Sequence, residues 1–164
     1  MKAVYLDNNA TTRLDPMVLD AMMPFLTEHY GNPSSIHGFG EPVRKAIEQA
    51  RKQVATLLGA EHDSEIVFTA STTEANSTAL LSAVEALPER RTLITSMVEH
   101  PAILEVCEHL ERQGYTIHRL AVDGCGRLDL AEYERLLSDD VALVSVMWAN
   151  NETGTLFPVE QMAQ

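Results

Sequence analysis

Three short stretches of this sequence gather side chains able to hold or transform a small ligand. In Thr69-Ala70-Ser71-Thr72-Thr73-Glu74, hydroxyl groups cluster just ahead of a helical pattern. Unpaired backbone N–H groups and the positive end of a helix dipole favour a phosphate at such a place. The Ser71 and Glu74 spacing is equally that of a capping box, in which both side chains serve only the helix end. In Ser96-Met97-Val98-Glu99-His100-Pro101, an imidazole stands directly before a proline suited to a first helical position. The imidazole of His100 can pass protons, or it can simply cap the helix. In Ala149-Asn150-Asn151-Glu152-Thr153-Gly154, two side-chain amides that donate and accept sit in a segment that also reads as a plain turn.

Each of these stretches follows a predicted strand. Apolar runs over 65–70, 92–96, 116–122 and 141–148 alternate with amphipathic segments over 71–87, 101–114 and 128–140. That alternation predicts an α/β domain with a parallel sheet, whose ligands bind outside the carboxyl ends of the strands. Three polar junctions on one sheet edge define a candidate pocket better than any one of them alone. Upstream, Asp15 is placed to cap a helix that begins at Pro16 and runs toward Tyr30, with Pro24 bending it. Residues 31–42 (GNPSSIHGFGEP) read as a loop. Val43, Ile47, Ala50, Val54, Leu57 and Leu58 recur at helical spacing before Gly59, the expected stop. A last helix is predicted to start at Pro158, leaving the sheet half covered.

With 164 residues, 45% hydrophobic and 22% charged, the composition is that of a globular protein. Twelve basic against 24 acidic residues give a formal net charge of -12, and the scattered Lys and Arg build no surface for nucleic acid or anionic lipid. No apolar run approaches the roughly 20 residues of a membrane span, and MKAVYLDNNATT lacks the apolar stretch of a signal peptide. A cytoplasmic protein without nucleic-acid or membrane partners is expected. Cys107 and Cys125 show no CxxC spacing and no disulfide framework, which suits a reducing compartment and predicts no metal site. Cys107 falls on an apolar helix face with Ile103, Leu104 and Leu110, a core position, and Cys125 lies in a turn. Glu105 and His109 share a helix face without a third ligand, so a solvated face is expected there.

Together, YLDNNATTRLDP, GNPSSIHGFG, LLGAEHDSEIVFTASTTEANSTA, SMVEHPAIL, GRLDL and SVMWANNETGTLFPVEQMA resemble the cysteine desulfurases of the nitrogen-fixation (NifS) type, over essentially the whole chain. The resemblance implies a pyridoxal 5'-phosphate enzyme of the aspartate aminotransferase-like fold (fold type I), a homodimer when full length. In that fold, residues 1–15 form an N-terminal arm contributing to the small domain, and 16–164 the first part of the large cofactor-binding α/β domain. The implied reaction removes sulfur from L-cysteine. An enzyme thiolate attacks the substrate sulfur, leaving L-alanine and an enzyme persulfide that passes to an iron-sulfur scaffold protein for nitrogenase-type cluster assembly. On the matching positions, Thr72 and Thr73 hold the cofactor phosphate, His100 stacks on the pyridine ring and assists proton transfer, and Asn151 bonds near the phenolic oxygen or the substrate carboxylate.

Two departures from the family carry expectations. Related enzymes have a glycine in the phosphate loop, where this chain has Ser71-Thr72-Thr73-Glu74. If a positive φ is required there, threonine is strained by about 1 kcal/mol or more, weakening cofactor affinity about tenfold. The lysines are Lys2, Lys45 and Lys52, none in the family's His-Lys setting. The Schiff-base lysine, the aspartate facing the pyridinium and the nucleophilic cysteine are thus expected outside these residues, and the chain alone is expected to be inactive and aggregation-prone. The alternatives are a selenocysteine lyase-like enzyme and a short, non-catalytic module binding a phosphate compound or a partner.

Overall fold

The computed structural model describes residues 3–164. Met1 and Lys2, the start of the expected arm, lie outside the described residues. The chain divides into two compact units, one ending at Phe68 and the other beginning at Thr69.

In the first unit, α1 (Pro16–Thr27) starts as predicted, with the Asp15 carboxylate accepting the Met17 N–H at 2.7 Å. It ends short of Tyr30 because the Pro24 carbonyl accepts both the Glu28 and His29 N–H groups, each at 2.8 Å, which closes the last turn. The second helix, α2 (Glu41–Leu58), stops at Gly59, whose φ of 71° lets its N–H turn back onto the Ala55 and Thr56 carbonyls. None of the residues of α1 is buried, and in α2 only Ala55 is. Met17, Leu26, Leu57 and Leu58 leave apolar faces of both helices open.

The predicted strand over 65–70 does not form. A strand exists through a neighbour's ladder, and no described strand pairs with this segment. After a single 3-10 turn (Asp63–Glu65) it runs extended, with Val67 and Phe68 exposed. The Arg51 guanidinium donates to the Ile66 carbonyl and lies 5.0 Å from the centre of the Phe68 ring.

The second unit holds α3 (Thr72–Ala86), β1 (Thr92–Ser96), α4 (Pro101–Arg112), β2 (Thr116–Leu120), α5 (Leu130–Leu136), β3 (Val141–Ser145) and α6 (Val159–Met162). The sheet is parallel in the order β2-β1-β3, with Thr92 opposite Thr116 on one side and Val141 on the other. As the central strand, β1 is buried throughout, and its hydroxyls at Thr92, Thr95 and Ser96 bond to Asp140, the Ser145 carbonyl and Glu99. β3 is shorter than its apolar pattern because the Met147 N–H leaves the ladder for the Glu99 carboxylate. α5 is also shorter than predicted, beginning where Asp129 caps the Ala131 and Glu132 N–H groups. Pro158 is the cap of α6 rather than its first residue.

Two helices cover one face of this sheet. Leu80 of α3 packs with Ile103 and Cys107 of α4, while Val84, farther along α3, packs with Leu110 and with Leu93 at the start of β1. Higher numbers therefore meet higher numbers, so α3 and α4 run side by side in the same direction. Both point their N-termini toward the carboxyl edge of the strands. On the other face, Ile94, Leu120 and Val141 pack against Tyr133 of α5. Val144, Val146, Val159 and Met162 line an open apolar recess of about 290 Å³ beside it.

Candidate functional site

At the start of α3 the backbone is extended at Ser71 (φ -160°, ψ 164°) and then turns directly into the helix. The Ser71 hydroxyl oxygen accepts the Glu74 N–H at 3.2 Å, and Glu74 Oε2 accepts the Ala70 N–H at 2.6 Å. The Ser71 half of the capping box read from the spacing is present, whereas the Glu74 carboxylate reaches one residue beyond the cap, to Ala70 instead of the Ser71 N–H. The cap uses the Glu74 amide, and Ala75 bonds to the Ser71 carbonyl, so the N–H groups and hydroxyls of Thr72 and Thr73 keep no partner among the described residues. Cap and anion site are therefore compatible. No described residue other than glycine has a positive φ. The expected strain at threonine is absent, because an extended Ser71 enters the helix without any left-handed residue.

His100 is the cap of α4 (φ -61°, ψ 145°), and its Nδ1 accepts the Ala102 N–H at 3.1 Å. An accepting Nδ1 puts the proton of the neutral ring on Nε2. The exposed ring thus offers a flat face and an Nε2–H donor, and a second proton could enter only at Nδ1, breaking the cap.

Two residues beside these carry the geometry and are not among the residues singled out from sequence. Glu99, 8% exposed, accepts the Ser96 hydroxyl at 2.8 Å and the Met147 N–H at 2.8 Å, both on Oε1. Burial pushes its carboxyl up from the ordinary value, against the pull of those two bonds. Asn150, also buried, accepts on Oδ1 the N–H groups of Glu152 (3.0 Å) and Thr153 (2.9 Å) and the Thr153 hydroxyl (3.2 Å), and its Nδ2 reaches the Val98 carbonyl at 3.4 Å. The candidate Asn151 lies on the exposed side of that turn, its amide donating to Glu152 at 2.8 Å. A Ser-x-x-Glu spacing at the end of a predicted strand hints at the Ser96 bond of Glu99 but gives no sign of its second partner, Met147. For Asn150, the available signal was an Asn two and three residues before groups that a side-chain turn can bind.

The three junctions thus meet one edge of the sheet, and two are joined directly, by Glu99 to Met147 and by Asn150 to Val98. Next to them, Val98, Asp123, Gly126, Asn150, Thr153 and Phe157 line a cavity of about 200 Å³. Its floor includes a tight turn in which Asp123 accepts the Arg127 and Cys125 N–H groups, bonds that hold its carboxyl below the usual range. Cys107 is enclosed in the core, where burial pushes its thiol up. Cys125 is exposed in the turn. The donor set on this edge fits a phosphate ester carrying a flat ring: two unpaired helix-start amides, two hydroxyls, and an imidazole at the neighbouring helix start.

The sequence profile of the aminotransferase class-V family matches residues 4–164. The chain is 63% identical over 164 residues to the cysteine desulfurase NifS of Azotobacter vinelandii, a match covering 100% of this chain and 41% of that protein. A solved NifS-like protein superposes with a TM-score of 0.93 at 44% identity, covering 98% of this chain and 44% of its own. SspA, solved in complex with cysteine, superposes with a TM-score of 0.89 at 35% identity, covering 96% of this chain and 46% of its own. The chain therefore spans less than half the length of each.

Proposed function

The chain belongs to the aminotransferase class-V family, and we propose that it is the front part of a pyridoxal 5'-phosphate-dependent cysteine desulfurase of the NifS type. The observation that carries this reading is the pair of unpaired amides at Thr72 and Thr73, on the same sheet edge as the Nε2–H of His100. When bound, the cofactor supplies an electron sink. Thr72 and Thr73 hold its phosphate through backbone N–H and hydroxyl donors. His100 presents its ring face to the pyridine and its Nε2–H to the reacting groups, and Asn151 bonds the phenolic oxygen or the substrate carboxylate. L-cysteine as substrate is supported by the relationship to SspA, solved with cysteine. The products are L-alanine and an enzyme-bound persulfide for an iron-sulfur scaffold protein, in the cytoplasm. Residues 1–15 belong to the small domain and 16–164 to the large one. The open apolar faces of α1 and α2 and the recess at Val144 suit cover by further sequence and by a second copy in a homodimer.

The test is cofactor retention by the full-length protein, read as visible absorbance after dialysis. Thr73→Ala weakens retention about tenfold, the worth of one charge-assisted hydrogen bond. A full-length protein that takes up no pyridoxal phosphate, or a 164-residue chain that releases sulfide from cysteine by itself, contradicts the proposal.

A further inference from the structure

Two of the candidate groups reach the sheet edge on separate connections, and one carboxylate joins those connections. Glu99 directly precedes His100 and takes both of its hydrogen bonds on Oε1, one from the fully enclosed Ser96 hydroxyl and one from the Met147 N–H. The ladder of β3 ends at Ser145. From there to the Asn150 turn, the chain is tied to the β1 side by this carboxylate and by the Asn150 to Val98 bond, while residues 148–150 are held on their other side by the Phe157 N–H on the Trp148 carbonyl and the Asn150 N–H on the Thr155 carbonyl. No Lys or Arg forms an ion pair with Glu99 among the described residues. A buried carboxylate without a cation is a poor source of stability, so its geometric effect is the part left to explain.

On the reading that this edge holds the cofactor, we propose that Glu99 is a positioning residue. By clamping Ser96 and Met147 through one oxygen, it sets the placement of the His100 ring relative to the Asn150-Asn151 turn. The bonds do this, not the charge, since a single acceptor oxygen serves both donors. Glutamine keeps such an oxygen, whereas alanine leaves the Ser96 hydroxyl and the Met147 N–H without an acceptor.

The experiment compares Glu99→Gln, Glu99→Ala and Ser96→Ala in the full-length, cofactor-loaded protein labelled with ¹⁵N-histidine. It reads the His100 ring signals, which do not depend on turnover, together with kcat and KM for cysteine. Glu99→Ala is expected to move the ring signals and to lower kcat about 10²-fold, the scale of an ångström-sized misplacement, with a smaller change in KM. Glu99→Gln keeps the ring signals in place and loses far less of kcat, and Ser96→Ala falls between. A folded Glu99→Ala with unmoved ring signals overturns the proposal, as does a Glu99→Gln as impaired as Glu99→Ala. Should Glu99→Ala fail to fold, unmoved ring signals in Ser96→Ala overturn it equally. A wild-type protein that binds no pyridoxal phosphate overturns the proposed function instead, and the ring signals of the cofactor-free protein still decide the role of Glu99.

Discussion

His100 combines a structural bond and a chemical group on opposite nitrogens of one ring, and two substitutions separate them. Its Nδ1 accepts the Ala102 N–H at 3.1 Å, and Ala102 is itself buried, so little water can replace that bond. Removing a helix cap costs about 1 kcal/mol, within a range of about 0.5–2. The buried amide places His100→Ala in the upper part of that range. Asparagine is among the strongest capping residues, and its side-chain oxygen reaches the same amide, so His100→Asn should recover most of the loss. It carries no ring. Turnover of cysteine by the full-length protein should therefore fall in both variants by about 10²- to 10⁴-fold, the usual contribution of a positioned proton-transfer group. Urea unfolding followed by circular dichroism gives the first quantity, and sulfide release gives the second. An Asn variant as unstable as the Ala variant refutes the cap, and an Asn variant with wild-type turnover refutes the ring's role.

Leu110→Ala, at a site 1% exposed among Val84 and Leu93, should destabilise the domain by about 2–5 kcal/mol in urea unfolding, and a loss below about 1 kcal/mol would contradict the packing described. Gly126 has a φ of 77°, and a Cβ there would stand 3.0 Å from the Thr155 hydroxyl, so Gly126→Ala should lower the thermal midpoint, with a cost of about 1 kcal/mol or more. The Asp140 carboxyl is held below its ordinary value of 3.8, chiefly by the Thr92 hydroxyl and then by the Arg91 N–H. Its contribution is present above that ordinary value and lost as pH falls through the lower, folded one, so Asp140→Asn should flatten the acid limb of a stability-pH curve. Glu99 has the opposite sign: burial raises it above 4.5, so its contribution is complete below that value and declines as pH rises through the folded one. Glu99→Gln should accordingly gain stability relative to wild type at neutral pH, measured by thermal unfolding across pH 4 to 7.

Elements whose signal is local are legible in the sequence. Asp15 before Pro16, Gly59 after a periodic run, and Ser71 with Glu74 each set a helix end through bonds made within a few residues, and the structure has all three. β1 is legible because Leu93 and Ile94 stand between β-branched Thr92 and Thr95 in a short run, a composition suited to a strand. The strand predicted over 65–70 has the same composition but no described neighbour, and apolar patterning cannot supply the missing ladder. The candidate residues Thr72, Thr73, His100 and Asn151 were identifiable because each follows a predicted strand, where open α/β sheets keep their ligands. Glu99 was not, since its partner Met147 is 48 residues away and only the fold brings the two together. The threonine strain expected from a missing glycine depended on a backbone angle that residue identity alone does not give.

The most direct measurement is the intact mass of the protein from its natural source, before and after borohydride reduction, which fixes the cofactor to its lysine. The expected result is a mass well above the 18.1 kDa of these 164 residues, with one reduced pyridoxal phosphate attached. A mass near 18.1 kDa without the adduct would contradict the desulfurase reading.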